Sequence, residues 1–73
     1  MNSILYNKIG LKIKIERVKR NISQEKLAEL ADLSRPTIGA IERGQKSPTF
    51  NTLEAIADAF GMTVQELCNF DNI

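Results

Sequence analysis

Residues 24–44 read QEKLAELADLSRPTIGAIERG, and the seven in the middle, ADLSRPT, do not belong in one continuous helix. Asp and Ser compete for backbone hydrogen bonds, and Pro36 lacks an N–H and biases Arg35 before it away from helical dihedrals. Apolar runs nevertheless flank the break on both sides. Leu27, Leu30 and Ala31 fall at i, i+3, i+4 before it, and Ile38 and Ile41 at i, i+3 after it. The chain therefore writes two short helices, about 24–31 and 35–43, joined by a turn of about three residues. Asp32 tolerates the left-handed backbone of such a turn and Leu33 anchors the corner to a core. Ser34 caps the second helix, and Pro36 sits in its first turn, where a missing N–H does no harm. Ser23 caps the first helix with Glu25 at its positive end, and Gly44 closes the second.

The remaining segments extend the pattern. NKIGLKIKIERVKRN carries Ile9, Leu11, Ile13 and Ile15 in strand-like alternation, while Leu11, Ile15 and Val18 also suit a helix. No hairpin turn or second strand follows, and Lys, Arg and Glu favour helix, so a helix over about 7–20 is expected, ended by a left-handed Asn21. After the loop 45–48, Thr49 caps a helix to about Phe60 with Leu53, Ile56, Ala57 and Phe60 on one side and Gly61 as its stop. Thr63-Val-Gln-Glu66 is a capping box opening a last short helix with Val64, Leu67 and Cys68. The tail NFDNI is expected to fray unless Phe70 and Ile73 find a surface. Seventy-three residues hold one core, so the expectation is a single all-α domain over 1–73 with five short helices.

Composition narrows the function. With 42% apolar, 5% aromatic and 26% charged residues the chain reads as soluble and globular, and no apolar run is long enough for a membrane span or signal peptide. A cytoplasmic protein with no membrane partner is expected. There is no His, and Cys68 is the one cysteine, so neither an internal disulfide nor a thiolate metal cluster within one chain is available. The neighbours Glu66, Asn69 and Asp71 offer Cys68 no activating base or cation. No catalytic residue, metal site or cofactor, and hence no enzyme, is expected. The overall charge of +1 hides an asymmetry. In residues 1–22, six cations face Glu16 alone, for a net of +5; residues 23–46 balance four against four; residues 47–73 hold four carboxylates and no cation, for −4. Taken alone, the basic run is either a solvated helix face or a field directed at a polyanion.

Two short helices about a three-residue turn, with Ala28 early in the first, are the pattern of a helix-turn-helix. Through ISQEKLAELA, SRPTIGAIERG, the loop KSPT and IADAFGMTVQEL, the chain resembles the XRE-type helix-turn-helix regulators, which include the phage repressor and Cro domains, over about residues 9–68. Its brevity is similar to that of restriction–modification controller proteins. The resemblance implies a compact five-helix repressor-like domain with its helix-turn-helix at about 24–43. It further implies a homodimer on a two-fold operator in double-stranded DNA, with no cofactor and with RNA polymerase as a further candidate partner.

The resemblance also implies roles. Gln24 would fasten its helix to the phosphate backbone and buttress the base contacts, and Ser34, Arg35 and Thr37 would enter the major groove. Arg35 is the main candidate reader, since a guanidinium can donate two bonds to guanine O6 and N7. Pro36 and Ala40 stand where relatives carry long polar readers and offer only apolar contact; Gly39 between them leaves that face sparse, which shifts weight to DNA shape. Arg43, Lys46 and Thr49 would frame a phosphate clamp, and Arg17 and Glu42 a structural ion pair. Lys12, Lys14, Lys19 and Arg20 are expected to steer. Met62, Val64, Leu67, Cys68 and Phe70 would form the two-fold contact, within a C-terminal dimerisation region at about 61–73. Asn21 and Asp32 replace usual glycines. Glu16 stands where an apolar residue is common, and Leu11 and Ile15 where polar ones are, so α-helical residues 7–20 are either rotated or show an apolar strip to a partner. The alternative to a small stand-alone regulator is a protein-interaction module, such as the antitoxin of a toxin–antitoxin pair.

Overall fold

Four residues with positive φ sit where the chain changes direction: Asn21 at 56°, Asp32 at 57°, Gly44 at 73° and Gly61 at 71°. Between them, in a computed structural model that describes residues 3–71 and the side chains of residues 8–71, run five helices. These are α1 (Ser3–Lys19), α2 (Gln24–Ala31), α3 (Arg35–Glu42), α4 (Phe50–Phe60) and α5 (Val64–Leu67). The fold is all-α, with no strand among the described residues.

Caps explain why the boundaries fall where they do. Ser23, Ser34, Thr49 and Thr63 each adopt extended backbone and accept from an N–H three residues on, at 2.9–3.2 Å. At Thr63 the bond is reciprocal, because its own N–H donates to Glu66 Oε1 at 2.8 Å. At the α2–α3 corner the Leu33 N–H donates back to the Ala28 carbonyl at 2.8 Å, and Leu33 packs on the core. The α3 helix ends at Glu42, with Arg43 as its C-cap and Gly44 beyond it in the left-handed region.

Two readings need correction, and one left open between two alternatives is narrowed. Helix α1 starts at Ser3, not near residue 7, because Ile4-Leu5-Tyr6 contains no breaker and a helix extends through such residues at little cost. On α2, Leu30 is 50% exposed, and Ala28 at 3% takes its place beside Leu27 and Ala31. At 100° per residue the buried arc is centred between Leu27 and Ala28, and Leu30 lies roughly 100° from that centre. On α1, the helix is not rotated to hide its apolar strip: Leu11, Ile15 and Val18 stay exposed, while Ile9, Ile13 and Glu16 face inward.

The core is Ile9, Ile13, Leu27, Ala28, Ala31, Ile38, Ile41, Ile56, Ala57, Phe60 and Leu67. Helix α2 packs on α3 and α4, α1 lies across α3, and α5 closes against α4 and α1. The α1–α3 crossing is close enough to need Gly10, because a Cβ there would collide with the carbonyl oxygens of Ile41 and Glu42. Phe70 is half-buried against the core. Ile73 lies outside the described residues.

Candidate nucleic-acid interface

The outward end of α3 is built by the turn that precedes it. Ser34, Arg35 and Pro36, at the N-terminal end of α3, are exposed, and Thr37 and Ala40 are half-exposed. Ser34 Oγ lies 2.8 Å from Thr37 Oγ1, so both hydroxyls are oriented by capping while remaining at the surface. Inward, Ile38 and Ile41 are fully buried and fix which side of α3 shows.

Behind that face, one carboxylate joins three helices. The Glu42 side chain is 3% accessible; Arg17 Nε donates to its Oε2 at 2.7 Å and Arg17 Nη2 to its Oε1 at 3.2 Å. Arg17 Nη1 also donates to the Ile22 carbonyl at 2.9 Å. Gln24 Nε2 donates to Glu42 Oε1 at 3.0 Å. A carboxylate only accepts, so the Gln24 amide must aim its NH₂ at Glu42, which leaves its Oε1 facing away. That oxygen turns toward Gly39, 3.6 Å from where a Cβ would stand.

Gly39 itself is not the bare patch that its lack of a side chain implies. It is buried, and the Arg43 guanidinium lies over it, with Nη1 3.0 Å and Cζ 3.8 Å from the position of an absent Cβ. Arg43 Nε is held by Gln45 Oε1 at 2.9 Å. The sequence offered a signal for this in the i, i+4 spacing of residues 39 and 43, since long helical side chains lean toward the N-terminus. Lys46 and Thr49 are exposed in the loop and cap that follow, where the first-turn N–H groups of α4 begin.

Part of the basic N-terminal third gathers around one buried carboxylate. Glu16, 5% exposed, accepts from Arg20 Nη1 at 2.7 Å and pairs with Lys12 and Lys19 at 3.4 Å each. Arg20 Nη2 donates to the Phe60 carbonyl at 3.0 Å, and the guanidinium lies 4.7 Å from the Phe60 ring centroid. The Arg20 hydrogen bond, helped by Lys12 and Lys19, holds the Glu16 carboxyl below its ordinary range against the opposing effect of burial. Lys12, Lys19 and Arg20 thus share one structural partner in Glu16, while Lys8 and Lys14, like Lys19, are exposed.

On the far side, Met62, Val64, Cys68 and Phe70 are half-buried and show part of their surface. Leu67 does not: it is 0% exposed, enclosed by its own chain, and is withdrawn from the expected two-fold contact. Met62 and Val64 line a groove of about 550 Å³ with Phe50, Glu54 and Asp58. Phe50, 62% exposed, is a residue that sequence reasoning missed; its signal is the i, i+4, i+8 stripe it shares with Glu54 and Asp58, beside the buried one. Burial pushes the Cys68 thiol up, so it stays protonated at neutral pH.

Comparison with known proteins gives a consistent picture. A family model described as helix-turn-helix (HTH_3) matches residues 13–67. The immunity repressor protein of Bacillus phage phi105 is 42% identical over 59 residues, 81% of this chain but 41% of that protein, so the chain spans less than half of that relative's length. The control protein C.BamHI of Bacillus amyloliquefaciens is 40% identical over 65 residues, covering 88% of this chain and 80% of that one. Among solved structures, the restriction-modification controller protein C.AhdI from Aeromonas hydrophila superposes with a TM-score of 0.83 at 32% identity, over 85% of this chain and 94% of that chain.

Proposed function

The chain belongs to the helix-turn-helix family of transcriptional regulators, a non-enzymatic family, and from that premise we propose that it recognises a two-fold operator in double-stranded DNA as a homodimer. One observation carries the reading: the N-terminal turn of α3 stands at the surface with Ser34, Arg35, Pro36 and Thr37, and the helix is anchored at its other end by the Arg17–Glu42–Gln24 cluster. A helix entering the major groove by its N-terminal end needs that combination of exposure and rigid backing. In this reading residues 24–43 form the DNA-reading unit of a single domain. Arg35 reads a guanine edge, and Pro36 and Ala40 offer apolar contact to a thymine methyl. Lys46 and the Thr49 cap bind phosphate at the start of α4. Gln24, whose NH₂ is engaged by Glu42, braces α3 rather than gripping phosphate with that group. Met62, Val64, Cys68 and Phe70, together with the segment from Gly61 onward, supply the two-fold contact. Similarity to a phage repressor and to controller proteins supports a role in repressing or setting the level of a small set of genes.

Arg35→Ala provides the test. Against selected and random duplexes at several salt concentrations, wild-type log affinity should fall linearly with log salt. Arg35→Ala should cost roughly 1–3 kcal/mol on the selected sequence and much less on random DNA. Equal loss on both would reduce Arg35 to a phosphate contact.

A protein-interaction module is favoured by one observation, the strip of Leu11, Ile15 and Val18 at 42%, 37% and 58% exposure on α1. Sedimentation of the isolated chain separates the two readings, because a regulator of the proposed kind forms a stable dimer without any partner.

A further inference from the structure

Arg35, Gly39 and Arg43 occupy i, i+4 and i+8 of α3, and so share one stripe of that helix and its C-cap. In the middle of the stripe the missing side chain leaves a seat, and the Arg43 guanidinium fills it, folded one turn toward the N-terminus and tethered through Nε to Gln45 Oε1 at 2.9 Å. The effect is to carry a planar, permanently charged donor group from the end of α3 back to its middle. There it stands beside Gln24 Oε1, an acceptor turned toward Gly39 because the amide NH₂ is engaged by Glu42. An arginine left extended at a helix end meets whatever phosphate is nearest. One laid flat along the helix, with its Nη groups free of protein partners among the described residues, presents a fork to base edges.

Resting on the DNA-binding reading above, we propose that Arg43 is a second sequence-reading residue, selecting guanine at a base position distinct from the one read by Arg35, and that Gly39 is the positioning residue that makes this possible. The specificity of α3 then comes from two arginines on one stripe rather than from a dense row of polar side chains. Arg43 also leaves the phosphate clamp, which falls to Lys46 and the α4 N-terminus.

The experiment is selection from a randomised duplex library with wild type, Arg35→Ala, Arg43→Ala, Arg43→Lys and Gly39→Ala. Helix content by circular dichroism is recorded for each. Gly39 has helical backbone, and the nearest atom to an added Cβ belongs to the flexible end of Arg43, so Gly39→Ala is expected to fold. Wild type should show two guanine-preferring positions per half-site. Arg43→Ala should erase one of them, a loss of roughly 5- to 150-fold in discrimination, and Arg35→Ala the other. Gly39→Ala, which keeps Arg43 but takes its seat, should weaken the same position as Arg43→Ala. Arg43→Lys should keep the charge and lose the preference. The proposal is overturned if Arg43→Ala and Gly39→Ala lower affinity for all sequences by one common factor, or if Gly39→Ala leaves the wild-type preferences intact. Failure of the wild type to enrich any sequence would instead overturn the DNA-binding reading.

Discussion

At the scale of single residues, two carboxylate side chains are buried among the described residues, and each is answered by at least one basic side chain from residues 12–20. Glu42 is held by Arg17 and Gln24, and Glu16 by Lys12, Lys19 and Arg20. The sequence shows the second as an anomaly, a charge where an apolar residue belongs, because the three partners that justify it are scattered through an otherwise ordinary basic run. Its energetic consequence has a definite sign. The folded-state pKa of Glu16 lies below the ordinary value of 4.5, so the ionised form is the one that folding favours. The stabilisation is therefore complete above the unfolded pKa and fades as pH falls below about 4.5 and through the lowered folded value. Glu16→Gln keeps the shape but strands three cations around a neutral amide, and should cost about 3 kcal/mol at pH 7. In urea unfolding followed by circular dichroism, the gap between wild type and Glu16→Gln should hold constant from neutrality to about pH 5 and then narrow as the pH falls further. A gap independent of pH would show that shape, not charge, is what Glu16 contributes.

At the scale of elements, legibility follows how local each determinant is. Caps act within three residues, so the starts of α2, α3, α4 and α5 could be read from Ser23, Ser34, Thr49 and Thr63 alone. The turn between α2 and α3 could be read for the same reason, from Asp32 and Ser34. Helix α1 begins at Ser3 rather than near residue 7, because its apolar periodicity marks a face and not an end. The buried side of α2 was misjudged at Leu30 because two neighbours, α3 and α4, jointly decide it, and neither is visible in a period of 3.6. The candidate site divides in the same way: Arg35 and Thr37 follow from their place in the turn, whereas the position of Arg43 depends on an absent side chain four residues away. Gly10 gives the sharpest case. Glycine inside a helix ordinarily costs about 0.5–1 kcal/mol relative to alanine, so sequence alone predicts that Gly10→Ala stabilises. At Gly10 an added Cβ would reach 2.8 Å from the Glu42 carbonyl oxygen and closer still to that of Ile41, and backbone cannot step aside as a side chain can. Gly10→Ala should therefore destabilise by about 1–3 kcal/mol or more, with a lower Tm in thermal unfolding, by prising α1 from α3 and stretching the Arg17–Glu42 pair. A raised Tm would mean that the two helices can separate without loss.

At the scale of the whole molecule, size and charge together decide how DNA could be engaged. The longest axis is 29 Å, and half-sites read from one face of the duplex lie about 34 Å apart, so one chain reaches one half-site and a two-fold operator requires two. The charge asymmetry of the sequence, +5 in the first third against −4 in the last, is only slightly reduced in the fold, since Arg17 is offset by Glu42 while Lys12, Lys19 and Arg20 share the one charge of Glu16. Along α3 and the loop that follows it stand Arg35, Arg43 and Lys46, while Glu54 and Asp58 line the groove on α4. A few direct phosphate contacts and a diffuse cationic surface scale differently with salt. A cation that binds a phosphate releases a counterion and adds about 0.9 to the slope of log affinity against log salt, whereas a cation that merely steers changes the association rate. Lys46→Gln should therefore flatten the slope by about 0.9 per protomer, close to 2 for a dimer on its operator. Lys14→Gln, at an exposed site on α1, should leave the slope unchanged and lower only the association rate at low salt. Equal flattening by both substitutions would place α1 against the duplex and require the protein to lie on DNA in a different orientation.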